Sequence, residues 1–166
     1  MINNGHTIQI NVPPGSKLKR GGSAYEMLQY HFHHPSEHLV NDKPFAMEAH
    51  FVHKEAASDA LGVLGVFLVP GHADSTFARL AAAFPAEEGA EVAADDVDPR
   101  RLLPARLGYW FYEGSLTTPP CTEDVDWMIA AVPVEVAASD IQRFARLFPN
   151  NARPVVPANR RFILSS

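Results

Sequence analysis

Proline and glycine interrupt this chain 14 and 10 times in 166 residues, so the stretches left between them are short. Those stretches are rich in Val, Phe, Tyr and Ile, residues that suit a pleated, half-buried surface, and the pattern is that of antiparallel strands joined by turns. Strands are predicted over His6–Val12, Tyr25–His33, Phe45–His53, Leu61–Leu68 and Trp127–Val132, with a short closing one near Val155. Helix is a minority. Helical spacing occurs at Ser75–Ala83 and at Ser139–Phe148, where a Ser-Asp pair offers a cap and Ile141, Phe144, Ala145 and Phe148 fall on one stripe. The expected fold is mainly β: a single domain over residues 1–166, built on a large, mostly antiparallel twisted sheet with a few short surface helices. The acidic, alanine-rich stretch Ala86–Arg101 has no clear period and is predicted to be a solvated loop or a weak helix.

Composition narrows the function classes. With 46% hydrophobic residues the chain can bury one core, and a net charge of -5 provides no basic field to neutralise phosphates, so nucleic acid is not an expected partner. No apolar run approaches the roughly 20 residues of a membrane span. The longest candidate, Leu61–Pro70, contains two glycines and ends at proline. A single cysteine, Cys121, excludes an intramolecular disulfide and is expected to be a buried thiol. The chain opens on Met1-Ile2-Asn3-Asn4-Gly5 with no signal-like segment, abruptly enough to suggest that an upstream piece is missing.

Most of the eight histidines fall between His31 and His53. His31 and His33 are two apart on a predicted strand and so point to one face, as two ligands of one metal must. A third histidine from a neighbouring strand would complete a three-nitrogen set with an open fourth position, the arrangement of catalytic zinc. His50 and His53 are the candidates. A ligating histidine gives its other ring N–H to an acceptor that fixes its tautomer; Gln29 shares the face of His31, and Glu48 shares that of His50 but not of His53. His50 is therefore the predicted third ligand. His34, His38, His53 and His72 are left as structural or surface residues, His38 and His53 as hydrogen-bonded buried ones.

The run His31-x-His33-xxx-Glu37 also fits the core of the cupin motif, in which the glutamate is a ligand. That motif requires glycine where Tyr25 and Pro44 stand, and no later Pro-x-Gly-xx-His element follows.

Four blocks in one order make the sequence more specific: NNGHTIQ (Asn3–Gln9), QYHFHHPSEH (Gln29–His38), MEAHFVH (Met47–His53) and YEGSLTTPPCTEDVDW (Tyr112–Trp127). Together with NARPVVPANRR (Asn151–Arg161) they resemble the alpha-class carbonic anhydrases of bacterial type, from the first residues to nearly the last. The resemblance implies that Zn2+ is held by His31, His33 and His50, with Gln29 and Glu48 as their hydrogen-bond partners. It implies that Thr117 accepts from zinc-bound hydroxide and donates to Glu37, which is then no ligand. An ionised carboxylate can only accept, so it commits the threonine proton and leaves the hydroxyl oxygen to orient the nucleophile. Thr118 would lie near bicarbonate, and Val52, Val63, Leu116 and Trp127 would form the apolar wall for carbon dioxide. His6 takes the place of the proton shuttle, and histidine is the side chain that exchanges protons near neutral pH.

The implied activity is reversible hydration of carbon dioxide to bicarbonate and a proton, inhibitable by sulfonamides. The rival is a non-catalytic or weakly active binding protein on the same fold. By the same resemblance the chain is expected to lack the family's N-terminal segment. In many bacterial relatives the cysteine matching Cys121 is bridged to one in that segment, so a free thiol, a periplasmic or secreted setting and a possible homodimer are expected.

Overall fold

The computed structural model of the chain describes residues 1–58, 60–94 and 96–166. Its strands are β1 (Ile2–Asn3), β2 (Ile8–Asn11), β3 (Lys17–Arg20), β4 (Ser23–His33), β5 (Leu39–Val40), β6 (Lys43–Pro44), β7 (Met47–Glu55), β8 (Leu61–Pro70), β9 (Tyr109–Gly114), β10 (Val125–Ala130), β11 (Val134–Val136) and β12 (Leu164–Ser165). Helices α1 (Ser75–Ala82) and α2 (Ala138–Leu147) and a 3-10 turn at Pro99–Leu102 complete the chain. Among the described residues ten strands form one sheet, with the path β1-β2-β4-β7-β8-β10-β9-β12, β3 beside β4 and β11 beside β8. Pairing is mostly antiparallel, as expected. The exceptions are the parallel pairs of β8 with β10 and with β11, a mixture the turn-rich sequence does not reveal.

The two faces of the sheet differ. Alternation along the strands sends Ile8, Tyr30, Phe32, Ala49, Phe51, Leu64, Val66, Leu68 and Met128 into the larger core, which α1 and α2 cover with Phe77, Leu80, Ile141 and Phe144. The other face carries a smaller apolar cluster of Val52, Val63, Phe67, Val125, Trp127 and Ile129. Histidines and carboxylates share that second face.

A β-bulge makes the assignment of faces possible. Tyr25 lies opposite Glu55 and Met27 opposite His53, but Gln29 lies opposite Val52, His31 opposite His50 and His33 opposite Glu48, with the register shift between Met27 and Gln29. One extra residue at a bulge turns everything beyond it to the other face. Without it His31 would stand across from Ala49 and point into the helix-covered core.

Several local expectations are corrected. β2 starts at Ile8 rather than at His6, because the amides of His6 and Thr7 are taken by Asn4 Oδ1 at 3.0 and 2.9 Å in a tight turn. No strand forms near Val155, where Pro154 and Pro157 withhold ladder donors; the closing strand is β12, paired with β9. β3 and β9 are additional to the predicted set, as are the short β1, β5, β6 and β11. α2 begins at Ala138 with Ala137 at its N-cap and no side-chain cap, so Ser139 and Asp140 lie inside the helix. Of the predicted stretch Ala86–Arg101, residue 95 lies outside the described residues; the described residues before the 3-10 turn are largely irregular, tied to the sheet edge where Glu91 bridges Ile2. Cys121 is exposed rather than buried, at φ 58° in a turn.

Candidate metal centre

On the second face the sheet brings one ring nitrogen from each of His31, His33 and His50 within 4.8 Å of the others. The opposite nitrogens are committed. His31 Nδ1 lies 2.9 Å from Gln29 Oε1, His33 Nδ1 3.2 Å from the Asn151 carbonyl, and His50 Nε2 2.9 Å from Glu48 Oε1. Each acceptor takes an N–H, which leaves lone pairs on His31 Nε2, His33 Nε2 and His50 Nδ1. His33 Nε2 is buried without a hydrogen-bond partner among the described residues, an arrangement that is costly unless something binds it. Burial, then the neighbouring rings, holds the His31 imidazole well below its usual pKa and brings His33 down to about 4, so both are neutral bases at pH 7. Three converging imidazole nitrogens, each with its far side tied to an acceptor, and a fourth direction open are the donor set of catalytic zinc.

Glu48 organises the other side of His50. Its carboxylate is fully buried; Oε1 accepts from His50 Nε2 and, at 2.7 Å, from His38 Nδ1, while Oε2 accepts the main-chain N–H of Glu37 and of His38 at 3.0 and 2.9 Å. Burial alone would raise its pKa, but the His38 and His50 rings more than offset that and hold it well below the usual carboxylate range. His38 passes the chain on, its Nε2 2.7 Å from the Tyr112 hydroxyl. His38, Glu48 and His50 also lie close enough to suggest a second metal triad, but their atoms are already joined by these bonds. Gly65, across from His50, leaves room for the carboxylate: a Cβ there would stand 2.6 Å from Glu48 Oε1.

Glu37 is buried and lies beside the triad rather than in it. Oε1 accepts the Arg153 N–H at 2.8 Å and is 3.3 Å from His33 Nδ1; Oε2, 4.0 Å from His50 Nδ1, is buried and has no hydrogen-bond partner among the described residues. Thr117 and Glu37 line one cavity of about 390 Å³, and no hydrogen bond joins them. Thr118 is exposed on the same loop. Val52, Val63 and Trp127 belong to the smaller cluster, with Leu116 half-buried against it. The Trp127 ring centroid is 4.8 Å from that of His50. His6 is exposed in its turn, where Asn151 Nδ2 donates to its carbonyl at 2.9 Å. His53 points away from the triad, with Nδ1 2.8 Å from the Phe51 carbonyl. His34 contacts the Pro149 carbonyl, and His72 pairs with Glu135 at the surface.

Sequence reasoning did not single out Asn151, Tyr112 or Arg153. Asn151 holds the end of β4 from outside the sheet: its carbonyl takes His33, its Oδ1 accepts the His34 N–H at 2.8 Å, and its Nδ2 donates to Phe32 and His6 carbonyls. These ties span well over 100 residues, and no local periodicity encodes them.

Fold and site together define a protein with a three-imidazole metal centre on the open face of a mixed sheet. The chain belongs to the carbonic anhydrase family: the profile described as eukaryotic-type carbonic anhydrase matches residues 1–166. It is 43% identical to a carbonic anhydrase of a Nostoc species, over 100% of this chain and 63% of that protein. It is 40% identical to one from Pectobacterium carotovorum, over 99% of this chain and 68% of that protein. Among solved structures, the Thermovibrio ammonificans alpha-carbonic anhydrase in complex with sulfanilamide superposes with a TM-score of 0.94 at 38% identity, covering 98% of this chain and 72% of that one. A Chlamydomonas reinhardtii carbonic anhydrase in complex with acetazolamide gives 0.93 at 36%, covering 99% and 74%. The chain thus spans about two thirds of the length of these relatives.

Proposed function

We propose that the chain, acting as one domain, catalyses the reversible hydration of carbon dioxide to bicarbonate and a proton, with one zinc ion held by His31 Nε2, His33 Nε2 and His50 Nδ1. The observation that carries this reading is the buried, partnerless His33 Nε2 converging with two other ring nitrogens whose far sides are all tied to acceptors. When bound, zinc supplies Lewis-acid chemistry that brings the pKa of a water to about 7, the value known for carbonic anhydrase itself.

The chain's own residues supply orientation, an apolar pocket and a proton path. Glu37 Oε2, buried and without a hydrogen-bond partner among the described residues, is free to accept the Thr117 hydroxyl proton from across their shared cavity; once that bond is made, Thr117 Oγ1 faces the site only as an acceptor and fixes the direction of the nucleophile. Val52, Val63, Leu116 and Trp127 hold carbon dioxide and exclude water beside the triad, and Thr118 meets bicarbonate at the rim. His6, exposed at its turn, carries the proton to buffer. Sulfonamide inhibition follows from the same site, as the sulfanilamide complex of the Thermovibrio relative supports.

The reading extends to a periplasmic or secreted location and to a homodimer. The exposed Phe162, Ile163 and Leu164 at the β12 edge offer a surface for pairing with a second copy. No described helix is long and apolar enough to cross a membrane. Fractionation by osmotic shock and light scattering test these two points.

Zinc analysis and a hydration assay on one preparation test the activity. One zinc per chain with turnover is expected, lost in His50→Ala and kept in His53→Ala. Full zinc with no turnover would favour the binding-protein alternative, and zinc retained in His50→Ala would overturn the ligand set.

A further inference from the structure

The closing segment Asn151–Arg161, marked in the sequence, is not used up by the metal centre. Arg153 binds the carboxylate of the hydroxyl–carboxylate pair on which the proposed mechanism depends, and also the loop residues just before the hydroxyl. Its main-chain N–H donates to Glu37 Oε1 at 2.8 Å, and its guanidinium Nη1 donates to the Leu116 carbonyl at 3.2 Å and to Ser115 Oγ at 3.4 Å. One Glu37 oxygen is thereby filled while the other, Oε2, stays buried and free. Leu116 is the residue immediately before Thr117.

The loop from Ser115 to Thr122 has few ties. Leu116 N–H to the Thr122 carbonyl and Cys121 N–H to the Thr118 carbonyl, both 3.0 Å, are internal to it. From outside, among the described residues, Trp127 Nε1 holds the Ser115 carbonyl at 3.0 Å and Arg153 holds Leu116. Arg153 is thus the anchor nearest to Thr117. A guanidinium suits the task because its donors lie in a rigid plane and its bond to a carbonyl is charge-assisted.

We propose that Arg153 is a positioning residue for the Thr117–Glu37 pair: its main chain fixes which Glu37 oxygen is free, and its guanidinium sets the distance and direction of the loop that brings the hydroxyl to it. The inference rests on the roles given to Thr117 and Glu37 above. The two come from chain segments 80 residues apart, a hydrogen bond between them tolerates only a few tenths of an ångström, and a misplacement of about 1 Å in such a constellation costs about 100-fold in rate.

The test uses the zinc-loaded chain with Arg153→Met, which keeps the stem and removes the donors, Arg153→Lys, Thr117→Ala, and the Thr117→Ala/Arg153→Met double variant. Zinc stoichiometry should be unchanged throughout. In Arg153→Met, turnover should fall about 10- to 100-fold, in kcat rather than KM, with partial recovery in Arg153→Lys. The double variant should be no slower than Thr117→Ala alone, because an effect exerted through Thr117 has nothing left to act on. Amide exchange over Leu116–Thr122 should quicken in Arg153→Met with or without zinc. If Arg153→Met does not fold, the Arg153→Lys comparison carries the same test. Multiplying losses in the double variant, or an Arg153→Met protein equal to its parent in rate and in loop exchange, would overturn the role of Arg153. If instead the unmutated chain takes up zinc and hydrates no carbon dioxide, the proposed function falls, and loop exchange still decides whether Arg153 anchors the loop.

Discussion

Replacing Glu48 with glutamine changes one atom's chemistry at the most heavily bonded buried charge in the site. The carboxylate accepts four hydrogen bonds, two from main-chain N–H groups and two from the His38 and His50 rings. A glutamine at 48 keeps one acceptor oxygen and turns an NH2 group toward groups that are themselves donors. Two of the four bonds at most survive. At about 1.5–3 kcal/mol for each lost bond to a charged group, the variant should be less stable by about 3–6 kcal/mol, overlapping the roughly 3–5 kcal/mol for breaking a buried pair and a large part of a typical total of about 5–15 kcal/mol. His50 also loses the acceptor that sets its tautomer, so zinc should bind about 10- to 100-fold more weakly.

Denaturant unfolding of the zinc-free chain and competition with a chelator measure the two effects separately. A pH series adds a signature. The folded-state pKa of Glu48 lies below its unfolded value, so its contribution is fully present above about pH 4.5 and disappears as the pH falls through the folded value. The parent should show that acid limb and the variant should lack it. A loss smaller than about 1 kcal/mol, the scale of an ordinary surface substitution, with unchanged zinc affinity, would refute the argument that this carboxylate builds the site.

Thr117→Ala and Glu37→Ala should each slow hydration by about 100-fold while zinc stays bound, since both groups orient rather than hold; loss of zinc from the Glu37 variant alone would make that carboxylate a ligand. His6→Ala should lower turnover in dilute buffer and recover with added imidazole, and a failure of high buffer to restore the rate would place the proton path elsewhere. For the zinc-free chain, His31 and His33 have folded pKa values below the unfolded 6.5, so their contribution is complete above that pH and is lost as the pH drops. Between pH 6.5 and about 4, His33 alone should remove about 3 kcal/mol, measured as a falling unfolding midpoint; a flat midpoint over that window would contradict a buried neutral ring.

Parity along a strand made His31 with His33, and His50 with Glu48, legible as pairs on shared faces, because side-chain alternation is a local property of the chain. The joining of the two pairs was not legible in that way. Their meeting depends on the register shift between Met27 and Gln29, and Leu28, which occupies that gap, is an exposed leucine that no strand pattern would mark as a bulge. Counting antiparallel partners back from Tyr25 opposite Glu55 would have set His31 against Ala49, on the wrong face. Parity with Glu48 selected His50 and the motif resemblance agreed with it, but neither strand alternation nor residue type gave the register that brings the two pairs together.

The same limit applies at the rim. Asn151 and Arg153 act through bonds to His33, His6, Glu37 and Leu116 that lie far off along the chain, and their nearest sequence neighbours, prolines and small residues, read as a terminal turn. In a mixed sheet the ligands can be read from strand periodicity, but the groups that hold them from outside the sheet arrive on irregular segments, where no period announces them. The physical price of that arrangement is that the site's geometry depends on a segment near the chain's end with little helix or strand of its own, so substitutions there should alter rate and metal affinity before they alter the core.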